Sequence, residues 1–340
     1  MTRASIFGKS LGFDGWPDPA EILKEKIGSL KKMAPRLFLS SGDLVADRRY
    51  EFARDLQLKG DLPAAAELLE QAIELVRKFP SAWYMLGKIR LELGQREAAI
   101  AAFRAARDAD PEDRHGAGLH LMQLGVEPVS SMPPGYVQTL FDQYAPRFEA
   151  ALVGDLGYRG PALLFKAVLS VRAAAKKPAF FKRAIDLGCG TGLAAGAFVQ
   201  HVDRFIGIDL SPRMIDKARA TGLYAELEVD DMLQGISGKP DASAELILAA
   251  DAMVYVADLA PVLAEAARVL VAGGVLAFTA ETHGGEGVIL GEGLRYAHSA
   301  AYVRASVAAA GLTLALLDDL SARNEDNIPA PGLVAVAVKP

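Results

Sequence analysis

The segment Asp186-Leu187-Gly188-Cys189-Gly190-Thr191-Gly192 sets an acid and three alternate glycines between an apolar pair, Ala184-Ile185, and the small-residue stretch 193–199. This pattern predicts a strand that turns straight into a helix. Glycine lets the turn take positive φ, and a ligand can then lie against the main chain with no Cβ between them. The helix start points its positive end at that ligand. The chemistry implied is the binding of a nucleoside-bearing molecule. Side chains able to move a proton stand further on: His283 just past the fifth apolar run and His298 before the last helix, with Tyr255 and Tyr296 placed to orient or donate.

A dinucleotide turn requires G-x-G-x-x-G, whereas here the glycines fall at 188, 190 and 192 and position 193 is Leu, which disfavours a nicotinamide dehydrogenase. Asp-x-Gly-x-Gly-x-Gly instead resembles motif I of the class I S-adenosylmethionine-dependent methyltransferases. The elements that must position the site then follow in order. Residues 204–210 form the second run, with Asp209 and Leu210 at its end, where a carboxylate can accept from both hydroxyls of a ribose at about 1.5–3 kcal/mol per charge-assisted bond. Ser211-Pro212 starts a helix. Residues 224–229 close on Asp230-Asp231-Met232-Leu233, and residues 246–250 close on Asp251. By resemblance Asp231 accepts from the adenine amino group, while Met232 and Leu233 flank the ring. A helix over 259–271 is ended by Gly273-Gly274, and 275–281 is the fifth strand. A last helix over 300–310 and strands over 312–318 and 333–338 read as an antiparallel closing hairpin.

The front half repeats with a period of 34 residues: Phe52 with Leu86, Gly60 with Gly94, Ala65 with Ala99, Leu69 with Phe103, Ala72 with Ala106. The pattern resembles tetratricopeptide repeats, helix pairs that cross closely over small residues. The second copy is the better one, and residues 117–124 supply a capping helix. The first copy departs at Arg49 and Arg77. Three segments result: 1–45, partly helical or disordered, with an amphipathic pattern over 19–33; 46–125, the repeats; and 136–340, the cofactor domain. Pro128, Pro133 and Pro134 break the helix between the last two. Phe141, Tyr144 and Phe148 share a helix face at the entrance to that domain, as packing or as a substrate lid.

Together with Phe278-Thr279-Ala280-Glu281-Thr282 and Arg295-Tyr296-Ala297-His298-Ser299, this order is similar to a bacterial family of methyltransferases with N-terminal tetratricopeptide-type repeats. The resemblance implies helical repeats followed by a Rossmann-like, seven-stranded class I methyltransferase domain, with S-adenosylmethionine as cofactor. Its contacts are expected from Asp186, Gly188, Cys189, Gly190, Gly192, Asp209, Leu210, Asp231, Met232 and Asp251. The substrate is expected near Tyr144, Phe148, Arg295 and Tyr296, with Arg295 meeting either an acidic substrate or Glu281. The residues 284–287, Gly-Gly-Glu-Gly, leave a loop free to close over it. Proton transfer falls to His283, His298 or Tyr255.

Composition bounds the acceptor. Net charge is −5 with 42 acidic and 37 basic residues, so no nucleic-acid footprint is present. Pyrimidine C5 methylation requires a cysteine nucleophile, but the single cysteine, Cys189, belongs to the cofactor turn; it also rules out an internal disulfide and a cysteine-rich zinc site, and no metal is expected. Amino methylation of adenine or cytosine seeks Asn/Asp-Pro-Pro-Tyr/Phe where this chain has Asp251-Ala252-Met253-Val254. An O or N atom of a small molecule or protein side chain remains. The rival reading is an interaction or scaffold protein whose methyltransferase-like domain binds cofactor without turnover, the repeats holding a partner or a second copy. The start of the chain lacks the apolar core of a signal peptide, and the run 266–280 is broken by Arg268 and Gly273-Gly274, so no membrane span and a cytoplasmic location are expected.

Overall fold

The computed structural model describes residues 37–148, 157–325 and 328–340, so the helix expected at 19–33 lies outside the described residues. Four helices come first: α1 (Leu44–Lys59) packs on α2 (Leu62–Leu75), and α3 (Pro80–Glu92) on α4 (Arg96–Ala109). Asp43 starts α1 by accepting from the backbone N–H of Val45 and Ala46, and Asp61 starts α2 by accepting from that of Ala64. Gly60 and Gly94 take φ of 84° and 74° to turn the chain back, the left-handed region where a Cβ is costly. Ala65, Leu69 and Ala72, and one period later Ala99, Phe103 and Ala106, are buried. Phe52 does not follow its repeat partner: Leu86 is buried, but Phe52 is 62% exposed. The helix crossing rests on the next pair, Ala53 and Gly87, where a Cβ on Gly87 would come within 2.7 Å of the Phe103 ring. α5 (Ala117–Gln123) closes the stack, its first turn held by Asp113, which accepts from Ala117 and Gly118 N–H at 2.7 and 2.8 Å.

After the prolines come α6 (Pro134–Tyr144), continued by a 3₁₀ turn at Ala145–Arg147, and α7 (Gly160–Ala174). Strands and helices then alternate: β1 (Phe181–Leu187), α8 (Leu193–Phe198), β2 (Val202–Asp209), α9 (Pro212–Thr221), β3 (Tyr224–Val229), α10 (Met232–Ser237), β4 (Ala244–Ala249), α11 (Ala260–Val269) and β5 (Leu270–Glu281). The sequence put the end of α11 two residues later. Leu270 is already extended, and the strand runs through Gly273-Gly274 with a register shift against β4. Then follow β6 (Val288–Leu290), β7 (Tyr296–His298), α12 (Ala300–Ala309), β8 (Thr313–Asp319), the short pair β9 (Asn324–Glu325) and β10 (Ile328–Pro329), and β11 (Gly332–Val338).

The main sheet runs β3-β2-β1-β4-β5-β11-β8, parallel through β5, with β11 antiparallel to both β5 and β8, as the closing hairpin required. Both faces are covered. In β4, Leu246 and Leu248 enter one core and Ile247 and Ala249 the other, the two-sided burial typical of parallel strands. β6 and β7, in a stretch read as loop, form a hairpin that pairs onto the end of β5 at Glu281. The last repeat helix rests on that hairpin: Leu119, Met132, Leu294 and Tyr296 are buried in one cluster, and the Tyr296 hydroxyl donates to the Ser130 carbonyl at 2.5 Å.

Candidate active site

The strand-to-helix turn forms as its residue types require. Gly188, Gly190 and Gly192 all take positive φ. Gly188 passes hard against the end of β4, for a Cβ there would lie 2.6 Å from the Cβ of Ala252. At Gly190 the nearest atom to such a Cβ is in Phe148, 3.8 Å away, so this glycine leaves its backbone open to the cavity it lines. The turn's own acid lies underneath. Asp186 is fully buried and accepts from the Tyr224 hydroxyl at 2.7 Å, while its other oxygen has no partner among the described residues. Burial lifts its pKa to about 7, with the Tyr224 bond pulling the other way. Gly207, opposite Asp186 on β2, makes room: a Cβ there would strike Leu227, the Cys189 sulfur and the Tyr224 ring within 2.9 Å. Cys189 is buried and its thiol is pushed up by that burial, so it stays neutral.

A cavity of about 450 Å³ opens at the carboxyl ends of the strands. Gly188, Cys189 and Gly190 line it with Asp209, Leu210, Asp231, Met232 and Asp251; the structure thus brings together all the expected cofactor contacts except Asp186 and Gly192, which lie outside the lining. Asp209 is a fixed acceptor, taking the Gly190 N–H at 2.8 Å and the Ser211 N–H at 2.9 Å, which ties the turn to the start of α9. Burial raises its pKa to about 6 against those two bonds. Asp231 caps α10 by accepting from Leu233 N–H. Asp142 of α6 accepts from the Ser211 hydroxyl at 2.6 Å and so draws that helix over the site.

The other half of the cavity is aromatic. Phe141, Tyr144 and Phe148 line it from α6 and the turn after it, facing Tyr158 and Tyr255, and the Phe141 and Tyr255 rings meet edge to face at 5.2 Å. Its floor is ionic: Arg323 bridges Asp251 and Glu281, and Glu281 also accepts from Arg295 at 2.5 Å. Arg295 therefore meets Glu281, one of its two expected partners. Burial and the neighbouring acid push Tyr255 up to about 12, its two facing arginines pulling the other way. Neither histidine reaches the cavity. His283 closes its own loop against Gly285 and Gly287, while His298 is buried, bonds the Val256 carbonyl at 2.9 Å and stacks on Tyr302. Tyr296 is likewise turned away, toward Ser130.

Sequence reasoning gave no role to Arg323, Tyr158, Tyr224 or Asp142. Arg323 sits in the aperiodic stretch Ser321-Ala322-Arg323-Asn324, where nothing marks one cation as buried. Asp142 follows Phe141 directly, an acid beside an aromatic helix face, and is the one of the four that the sequence marks. Among the described residues no helix is long and apolar enough to cross a membrane.

Residues 185–278 match the methyltransferase domain family and residues 56–121 the tetratricopeptide repeat family. Curated relatives include an 18S rRNA (guanine-N(7))-methyltransferase of Bos taurus (39% identity over 16% of this chain and 20% of that protein). A ubiquinone biosynthesis O-methyltransferase of Xylella fastidiosa (32%, 28% and 39%) and methyltransferase-like protein 27 of Homo sapiens (31%, 33% and 45%) also match. The chain spans less than half the length of each. Among solved structures, the N-methyltransferase NodS of Bradyrhizobium japonicum with S-adenosyl-L-homocysteine matches at TM-score 0.40 and 18% identity, over 52% of this chain and 85% of that one. The expected order holds: tetratricopeptide-type helical repeats precede a mostly parallel sheet domain that carries the match to the methyltransferase domain family.

Proposed function

We propose that the chain transfers a methyl group from S-adenosylmethionine to an oxygen or nitrogen atom of a small molecule held in the aromatic half of the cavity. The observation that carries this reading is one continuous cavity with a glycine turn, Asp209 and Asp231 on one side, six aromatic rings on the other, and Asp251 in its floor. The residues fit the donor. Asp209 offers fixed carboxylate oxygens to the ribose hydroxyls, Gly190 leaves bare backbone for the methionine arm, and Leu210 and Met232 give the adenine apolar walls beside Asp231. A volume of about 450 Å³ falls in the range of small-ligand pockets.

The donor, when bound, supplies a methyl carbon already activated by positive sulfur. The chain's own task is placement, which can supply about 7–11 kcal/mol of the barrier. α6, drawn in by Asp142, and the aromatic rings wall the acceptor side. Calorimetry with S-adenosylmethionine and S-adenosylhomocysteine tests the reading: micromolar or tighter binding of both is expected, and no binding of either sinks it. Labelled methyl transfer in a small-molecule extract then separates turnover from a domain that binds cofactor only.

A further inference from the structure

We propose that Asp251 takes the proton from the acceptor, that Arg323 positions it, and that the acceptor is a phenolic hydroxyl; this rests on the methyl-transfer reading above. The three strand-end acids are differently engaged. Asp209 accepts from the Gly190 N–H of the glycine turn and from the Ser211 N–H that follows it, and Asp231 accepts from Leu233 N–H. The Asp251 carboxylate accepts from Arg323 alone among the described residues, and its side chain keeps 18% of its exposure while lining the cavity. Asp251 also carries a φ of 58°, in the left-handed region that Asp enters more readily than most other non-glycine residues. The buried Thr279 hydroxyl holds it, accepting the Asp251 N–H at 2.7 Å.

Arg323 is 4% exposed and is itself fixed. Arg159 donates to the carbonyls of Ala322 and Ser321 at 2.8 Å on one side of it, and Ala330 N–H donates to the Arg323 carbonyl at 3.0 Å. The groups facing Asp251 are Arg323, Arg295, Glu281, Tyr158 and Tyr255. Burial lifts Asp251 above the usual carboxylate range while the two arginines pull the other way, which makes it a better base than a free carboxylate. The rings of Phe141, Tyr144, Phe148 and Tyr255 suit a flat aromatic acceptor. A neutral phenol is a weak nucleophile that gains from losing its proton, as an uncharged amine does not before attack. In the step, the phenol oxygen bonds to the methyl carbon, the carbon–sulfur bond breaks with its electron pair left on sulfur, and the phenol proton passes to Asp251.

Wild type, Asp251→Asn, Arg323→Lys and Arg323→Met are compared with tritiated S-adenosylmethionine, using catechol and para-cresol as acceptors and S-adenosylhomocysteine titration as the check on fold and donor site. Wild type is expected to methylate the phenols with a rate that falls at acid pH. Asp251→Asn loses at least about 100-fold in kcat, with KM within threefold and S-adenosylhomocysteine affinity unchanged. Arg323→Lys keeps part of the rate, and Arg323→Met moves the acid limb to higher pH, which a merely structural role would not do. Failure of S-adenosylhomocysteine to bind wild type would strike the methyl-transfer reading itself. Binding without transfer to either phenol overturns the present inference. So does Asp251→Asn at wild-type rate, or a tenfold loss of S-adenosylhomocysteine affinity in that variant, which would return Asp251 to the donor side where the sequence put it.

Discussion

Asp209→Asn tests the donor site most directly. The carboxylate holds two backbone donors, Gly190 N–H at 2.8 Å and Ser211 N–H at 2.9 Å, and is 9% exposed. Asn keeps one acceptor oxygen and puts an NH₂ group in place of the other, so one charge-assisted bond from a ribose hydroxyl of the bound donor is lost. Taking about 2 kcal/mol for that bond gives a loss of roughly 30-fold in donor affinity. The pH dependence supplies a second reading of the same group. Its pKa in the free protein is held at about 6, above the ordinary 3.8, by burial. The ionised carboxylate is therefore a cost to the fold that is fully present above about pH 6 and is relieved as pH falls toward 4. Ribose hydroxyls donating to it favour the charged form, so donor binding lowers this pKa and releases a proton. Affinity should be flat above pH 7 and fall below 6, by up to about tenfold per unit. Asp186, lifted to about 7 mainly by burial and in part by the Asp209 charge, lies outside the cavity with one oxygen on Tyr224, so the variant also lets its pKa fall and the wild-type step below pH 6 is the one that reports Asp209. The assay is calorimetry with S-adenosylhomocysteine from pH 5 to 8 in two buffers of different ionisation heat. A wild-type Kd constant over that range, or Asn binding as tightly as Asp at pH 7.5, refutes the reasoning.

Gly87→Ala sets a methyl 2.7 Å from the buried Phe103 ring and should cost about 1–3 kcal/mol in urea denaturation while leaving S-adenosylhomocysteine affinity unchanged. His115 and His120 are held by burial at about 4, below the ordinary 6.5, so the folded repeats bind fewer protons than the unfolded chain. The stability they give is complete above about pH 6.5 and is lost as pH falls to 4, at up to about 1.4 kcal/mol per unit for each. Because Asp186 and Asp209 act in the opposite sense, hydrogen exchange should show α3 to α5 loosening with acid while β1 and β2 do not. Buried Cys189, with its thiol pushed up, should react with a disulfide reagent at least about 100-fold faster in denaturant than in the native chain; equal rates would contradict its placement under the turn.

What was legible in the chain followed from residue types with few alternatives. Three glycines at alternate positions can serve only a turn of positive φ, and acids after apolar runs mark strand ends, so Gly188, Gly190, Asp209 and Asp231 fell in one cavity. The 34-residue period located Ala99, Phe103 and Ala106 because burial repeats with the helix pair. Roles that depend on long-range geometry were not legible. A histidine in a loop reads the same whether it faces a ligand or bonds its own backbone, and His283 and His298 do the latter. Arg323 acquires its meaning only when the β8–β11 connection brings it across the ends of β4 and β5, 72 residues from Asp251. The β6–β7 hairpin was not legible because each strand is three residues long, too short for an alternating pattern to show.

That hairpin also decides what the repeats are for. Its inner residue Arg295 lines the cavity and pairs with Glu281, while its neighbours Leu294 and Tyr296 are buried against Leu119 and Met132 from the repeat side. The wall of the acceptor chamber is thus backed by the last repeat helix and the proline-rich connection, with Tyr296 bonded to the Ser130 carbonyl and Gln123 donating to the Gly291 carbonyl, each at 2.5 Å. A chain cut to residues 134–340 keeps every donor contact but uncovers Leu294 and the Tyr296 ring. Exposing about 100–200 Å² of apolar surface costs roughly 3–5 kcal/mol at 25 cal/mol/Å². The truncated chain should therefore melt lower than the full one and bind S-adenosylhomocysteine with near-native affinity in the cold, yet lose acceptor binding as the hairpin loosens. Equal melting temperatures would make the repeats a passenger; lost donor affinity would place the coupling at Asp142 and α6, not at the hairpin.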